Sequence, residues 1–433
     1  MTLKTAGVGV PSLKILSFLA LSASVTTLIM ATPAAAQTVI SGQGVADRAR
    51  PDYDPLGTPL GSFTLLPAVT ATASATNNYL ATDTDQRSDV YLSVTPEVVV
   101  RSNWSRNQLQ GRVYVTQDVH ANLTSENATQ YGASLAGAYD ISRETQVRAD
   151  VSAGRFVESR SSLGSFQGSV EPVRYEVYHA GIGASRSFNE LSLNANTSVE
   201  YHNYHDAELA GGLVVDQNFR DDRVISVGGS AQYDLRNGLG LIFTARYDDD
   251  LYNVRPGKPS FLPGDINRDS TGLTLQGGIT LELTRLVFGN VQVGYLSRKY
   301  HDPLLNNVGG LSYNADVLWN VTPLTSIRVR ASRSVEDSSS PDFAGNTLSD
   351  FSISVDHELY RYIIISGNAD YGHFTPNGIG IGGNQYSVGA GARYLINRHF
   401  SVSGNVGYAA RTSDSTYLRY NAFTGSIAVR FAL

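Results

Sequence analysis

The sequence predicts an all-β chain that closes into a transmembrane, antiparallel, up-and-down outer-membrane β-barrel of about eighteen strands. Three observations predict it. Apolar and polar residues alternate along one long stretch after another. Tight turns and long polar loops take turns between those stretches. An export signal precedes a sequence in which no later apolar run could span a bilayer as a helix.

The signal comes first. Lys4 and Lys14 precede an uncharged apolar run from Ile15 to Met30, and the small residues Ala34, Ala35 and Ala36 stand before Gln37. The run is short for a spanning anchor and ends in an A-x-A site, so residues 1–36 read as a signal peptide cleaved after Ala36. The chain has no cysteine, which excludes a lipidated N-terminus, disulfides and thiolate metal sites. Residues 37–62 follow as a periplasmic N-terminal segment. This segment is polar, carries Pro51 and Pro55, and is too short to form the plug of an energy-coupled transporter. It either threads the lumen or hangs in the periplasm as a docking strand.

From Phe63 to Leu433 the period is two. In 190–204 Leu191, Leu193, Ala195, Thr197, Val199 and Tyr201 alternate with Ser192, Asn194, Asn196, Ser198, Glu200 and His202. Val147, Ala149, Val151 and Ala153 alternate with Arg148, Asp150 and Ser152, and Ile327, Val329 and Ala331 with Arg328, Arg330 and Ser332. Leu273, Leu275, Ile279, Leu281 and Leu283 are set against Thr274, Gln276, Thr280 and Glu282. A soluble sandwich alternates too, but its strands run about five or six residues, whereas these run about ten to fifteen, as a tilted spanning strand requires. Aromatic residues bracket the apolar faces, as in Leu191 with Tyr201, Val287 with Tyr295 and Phe400 with Tyr408, and Tyr139, Tyr233, Trp319 and Tyr394 stand at one end. That is the pattern of two interfacial girdles.

The connections fall near Ser105, Ser142, Asn189, Asn237-Gly238, Leu286, Pro323, Tyr360 and Asn397 as tight turns. Longer polar loops lie between them, over 77–88, 123–129, 160–172, 206–220, 254–269, 301–307, 337–346, 375–383 and 412–416. Short periplasmic turns facing long external loops give about eighteen strands, with about sixteen as the alternative, because the pairs at 63–76 with 89–101 and at 132–140 are the least regular. The last strand sets Phe423, Ile427, Val429, Phe431 and Leu433 outward. Outer-membrane chains commonly end in an aromatic residue read by the barrel-assembly machinery; here the last residue is leucine, and Phe431 stands in its place.

Composition agrees. Charged residues make up 17%, there are 41 Gly and 24 Tyr, and the net charge is -6. No run of Lys or Arg invites nucleic acid, so the expected partners are outer-membrane lipid and lipopolysaccharide.

The stretch Arg50, Pro51, Asp52, Tyr53, Asp54, Pro55, Leu56 and Gly57, followed by Gly61, Ser62, Phe63, Leu66 and Pro67, resembles the opening of the putative beta-barrel porin 2 family of proteobacteria. A turn of the kind Tyr394-Leu395-Ile396-Asn397-Arg398 is similar as well, and the resemblance covers nearly the whole mature chain. It implies an outer-membrane barrel without defined catalytic residues. Because several members accompany exopolysaccharide or capsule gene clusters, it also implies polysaccharide, or polysaccharide-export proteins, as partners.

If the barrel conducts, its chemistry lies on the polar faces. Parity places Glu97, Arg101, Arg112, Asp118, Arg148, Asp150, Glu200, Arg246, Asp248, Asp250, Glu282, Asp316, Arg328, Arg330, Asp356, Asp370, Arg393 and Arg430 in the lumen. They either pair and fill it structurally or line a passage. Arg328 with Arg330, or Arg148 and Arg246, are the candidates for an electropositive wall. Asp248, Asp249 and Asp250 could hold calcium but read better as a solvated strand end. His202 and His205 are too loosely spaced for a metal site, and glycine-rich 378–383 lacks the residues of a phosphate loop. Serine is abundant, but His120, His179 and His202 come with no nucleophile elbow, so no enzyme and no cofactor is expected. The expectation is a porin-like channel in the outer membrane of a Gram-negative bacterium, serving export or general solute diffusion. The alternative is a non-conducting structural or adhesive barrel whose loops bind surface polysaccharide or lipopolysaccharide.

Overall fold

The computed structural model describes residues 42–166, 168–235, 238–284, 286–336, 345–377 and 380–433. The signal read at 1–36, the start of the N-terminal segment, Asn237 of one turn, most of the loop at 337–346 and Gly378 lie outside the described residues.

Eighteen long strands make one closed antiparallel barrel, which decides against sixteen. They are β1 (Phe63–Thr76), β2 (Asp89–Ser102), β3 (Gln108–His120), β4 (Ala128–Asp140), β5 (Thr145–Val157) and β6 (Arg174–Phe188). Next come β7 (Leu191–Tyr204), β8 (Asp222–Asp234), β9 (Leu239–Tyr252), β10 (Ser270–Leu283), β11 (Val287–Tyr300) and β12 (Val308–Thr322). The last third is β13 (Thr325–Glu336), β14 (Asn346–Tyr360), β15 (Ile363–Pro376), β16 (Gly383–Leu395), β17 (Phe400–Ser413) and β18 (Tyr420–Ala432). Each pairs with its sequence neighbours, and β18 returns to β1 from Ala68↔Ala432 to Thr76↔Thr424. Closure leaves no unpaired edge for lipid to meet. The irregular-looking strands near the start are full members: β1 and β2 keep register from Phe63↔Ser102 to Thr76↔Asp89.

The outward face is apolar along its length. Val113, Leu135, Val151, Ile182, Leu241, Val293, Ile353, Val388 and Ile427 are all exposed there, which in water would be a very large sticky surface and in a bilayer is the lipid contact. Two aromatic belts bound it. Tyr139, Tyr233, Trp319, Tyr394 and Phe431 stand at the tight-turn end, and Tyr131, Tyr178, Tyr247, Tyr295, Tyr386 and Phe423 at the long-loop end. Tyr386 and Tyr394 on β16 are eight positions apart, which at about 3.4 Å per residue and a tilt of about 40° gives roughly 20 Å of apolar height. A concavity of about 870 Å³ also lies on this outer wall, between Val388, Val406, Tyr408, Phe423 and Ala75, so it faces the lipid and not the lumen.

Residues 42–62 do not hang free. Thr58–Leu60 folds back on Phe63–Leu65 as a short extra strand. Gly57, at φ +72°, turns the chain inward; a Cβ there would lie 2.5 Å from the Thr64 methyl and 2.6 Å from the Leu65 carbonyl, so only glycine fits. The segment before it then lies against the lumen side of β12–β16.

Candidate functional site

The lumen wall is built by alternation, and its charges are mostly paired. Pairing is set by register: residues opposite or diagonal on adjacent strands come within reach of one another. Glu97 on β2 is held by Arg112 at 2.8 Å and by Arg430 at 2.7 Å across the β1 seam. Asp316 on β12 takes a two-pronged contact from Arg328, at 2.6 Å twice, with Arg330 at 3.5 Å. Arg246 meets Asp248 at 2.8 Å, and Arg298 meets Asp250 at 3.0 Å. The expected electropositive wall is therefore corrected at Arg328, Arg330 and Arg246, because Asp316 lies opposite Arg330 and diagonal to Arg328 across β12 and β13, and Asp248 lies two residues along β9 from Arg246. Arg148 is exposed and donates to Gln146 at 2.5 Å. Asp118 accepts from Gln130 at 3.1 Å, Asp356 from Ser366 at 2.5 Å and Asp370 from Ser387 at 2.6 Å. Arg101 lies on β2 and Glu282 near the turn end of β10. The Asp248–Asp250 run splits: the two outer members face their arginines and Asp249 lies on the opposite face, so the three do not converge on one ion.

The histidines join this network. His179 lies 3.0 Å from Asp150 and 3.5 Å from Glu200; Glu200 is 3.3 Å from His202, which is 2.6 Å from Asp222. His120 binds Asp89 at 2.7 Å and stacks on Tyr91. His205 goes to Glu176, away from His202. Among the described residues, no group of three or more His, Asp or Glu side chains is arranged to hold a metal.

Both ends of the lumen are narrowed. At the turn end, Val45 N–H donates to Ser326 Oγ at 2.9 Å, Arg48 donates to Asn320 Oδ1 at 3.2 Å and to the Pro323 carbonyl, and Arg50 pairs with Glu358 at 2.9 Å. Arg393, placed on the wall from sequence, donates to the Ala46 carbonyl at 3.2 Å. Val45 and Ile364 are buried. Of the two paths the sequence left open for this segment, it takes the lumen, so its brevity does not keep it from obstructing the bore.

At the loop end, the loop 158–173 after β5 arches inward. Glu158 pairs with Arg220 at 2.6 Å and Arg160 with Glu126 at 2.5 Å. The Val170 N–H reaches the Glu208 carbonyl at 2.7 Å, joining the arch to the loop 205–221. Beneath it Val173, Tyr204 and Ala207 pack with Phe166, Tyr175 and Val215. Ser161, next to Arg160 in the arch, meets Arg411 on β17, with β18 and β1–β4 between β17 and β5 on the wall.

A repeated device closes the loop bases. The residue just before a strand accepts the backbone N–H at the end of the preceding strand: Asn127 from His120 at 2.7 Å, Asp221 from Tyr204 at 2.7 Å, Asp269 from Tyr252 at 2.7 Å and Asn307 from Tyr300 at 2.9 Å. The signal was present in the sequence, as Asx before a strand and His or Tyr ending the one before. Burial raises the Asp221 carboxyl to about 6 from 3.8, against the opposing hydrogen bonds from Tyr204 and Asn253. An acid raised on folding is favoured in its protonated form, so this clamp is tightest below about 3.8 and loosens as pH climbs to about 6. Hydrogen exchange at the Tyr204 amide, corrected for intrinsic rate, should report more opening at pH 7 than at pH 4. Asp221→Asn should remove the difference, and an unchanged difference in that variant would rule out the clamp as its source.

Comparison with known proteins comes on top of this geometry. The family described as "Putative beta-barrel porin 2" matches residues 50–433. No curated protein sequence matches the chain. Among solved structures the chain is similar to OccAB2 from Acinetobacter baumannii, at 11% identity and TM-score 0.48, covering 87% of this chain and 99% of that chain. It is similar to a BenF-like porin from Pseudomonas fluorescens Pf-5, at 9% identity and TM-score 0.45, covering 86% and 100%. For the siderophore receptor PirA from Acinetobacter baumannii the figures are 7%, 0.48, 85% and 80%.

Proposed function

Because the chain belongs to the putative beta-barrel porin 2 family, we propose that it is a narrow diffusion channel for small polar solutes in the outer membrane of a Gram-negative bacterium. The observation that carries this reading is a closed barrel whose lumen is lined with paired charges of both signs and narrowed, but by different walls, at its two ends. Insertion by the barrel-assembly machinery and contact with lipopolysaccharide at the loop-end aromatic belt belong to the same reading. An exopolysaccharide or capsule chain would meet both obstructions, so export would require the N-terminal segment and the arch to withdraw. The N-terminal segment in the lumen is also what favours the second reading, a non-conducting structural barrel.

Planar-bilayer recording separates the two. Small, ohmic steps are expected from the purified protein, and silence at every voltage would leave the structural barrel. Selectivity follows from Glu97, which neutralises two arginines in the wall. Glu97→Gln uncovers both, and the reversal potential in a KCl gradient should move toward anion preference; a shift toward cations would contradict the assignment of these side chains to the permeation path.

A further inference from the structure

We infer that Arg411 is the residue that sets the bore of the loop-end mouth, by pinning the arch 158–173 to the wall at β17, away from its own strands. This rests on the channel reading above. The side chain is 3% exposed, and its Nη2 donates to the Ser161 backbone carbonyl and, at 3.1 Å, to Gln385 Oε1 on the neighbouring strand. The guanidinium lies 5.2 Å from the Tyr420 ring and 6.0 Å from the Phe374 ring, and the Tyr420 hydroxyl hydrogen-bonds Ser161 as well.

The three feet of the arch are chemically unlike. Two are buried charge pairs on its own side, Glu158 with Arg220 and Arg160 with Glu126. The third is an arginine that meets no carboxylate among the described residues and has its Nε without a hydrogen-bond partner. A buried cation facing only neutral acceptors and ring faces is costly to maintain, and a cost of that kind marks a place where structure has been traded for a task. Here the task is visible in the topology. Of the three feet among the described residues, Arg411 stands farthest from β5 on the barrel wall, beyond β18 and β1, and with Tyr420 on β18 it fixes where the arch lies across the opening. The guanidinium bond to Ser161 can be released by substitution once its neighbour, the Tyr420 hydroxyl bond, is removed as well. It uses a backbone carbonyl on the loop side, so no loop side chain can replace it. The two near feet stay in place without it.

Arg411→Ala together with Tyr420→Phe should let the arch beyond Ser161 swing away while the barrel stays folded, which heat-modifiable migration on a gel will show. In planar bilayers the polyethylene glycol size that is excluded from the channel should rise and single-channel conductance should increase about two-fold or more. Equal conductance and exclusion size in variant and wild type, with both folded, overturns the inference. A second readout does not depend on conduction. In proteoliposomes hydrogen exchange at residues 162–165 should be faster in the double variant than in the wild type, while the Arg160–Glu126 foot keeps its protection. If no variant conducts, the channel reading fails by itself; equal exchange at residues 162–165 then overturns the latch, and faster exchange there upholds it.

Discussion

Removing residues 42–55 should raise single-channel conductance several-fold, the largest functional effect expected of any change in this protein. The segment occupies the turn end of the lumen through polar contacts spread over β12–β16: Val45 to Ser326, Arg48 to Asn320, Arg50 to Glu358 and Ala46 to Arg393. None is a ladder bond of the barrel, so the wall should survive the deletion. A reversible version exploits the absence of native cysteine. A Cβ at Gly44 would lie 3.2 Å from Ser326 Oγ, within disulfide reach. Gly44→Cys with Ser326→Cys should conduct at the wild-type level or below when oxidised, whatever the unmodified segment does by itself. If the deleted chain conducts no better than the intact one, the segment is not an obstruction.

The largest structural effect is expected at the arch. Arg220 and Glu158 are 1% and 3% exposed in their side chains and 2.6 Å apart, and the guanidinium lies 3.9 Å from the Tyr204 ring. Arg220→Ala strands a buried carboxylate, a loss of about 3–5 kcal/mol where such pairs have been broken singly. Both loops, 158–173 and 205–221, should lose hydrogen-exchange protection together, since the pair and the Val170 to Glu208 bond tie them into one unit. Replacing both partners, with Arg220→Met and Glu158→Leu, should restore most of it, because no lone charge then remains. Protection unchanged in Arg220→Ala would show that apolar packing around Tyr204 alone holds the arch.

The wall of this molecule was legible and its furniture was not. Period-two alternation located β7, β10 and β13 within a residue or two, because a sheet that meets lipid on one face and water on the other must write that difference into every second residue. Turns at Asn189, Pro323 and Asn397, and loops at 254–269 and 301–307, follow from the same break in pattern. Parity assigns each charge to a face, but what it does there depends on register. Arg328 and Arg330 look like a basic patch along β13, and only the pairing of β12 with β13 brings Asp316 between them. Arg411 and Arg220 carry no local mark, and Arg50, though it opens the stretch that resembles the family, carries no mark of its pairing. Their partners lie far away in the chain, at Ser161, Glu158 and Glu358, and no spacing rule connects such positions.

The seam between β1 and β18 has a consequence in time. Ala68 to Thr76 pair with Thr424 to Ala432, at the opposite end of the strand order, so no chain lacking β18 can close the sheet. Every intermediate before the final strand carries two raw edges, one of them β1 itself, and neither lipid nor a local turn can satisfy them. Folding of this chain is thus governed by its least local contact, which makes it slow by nature and exposed to mispairing until β18 arrives.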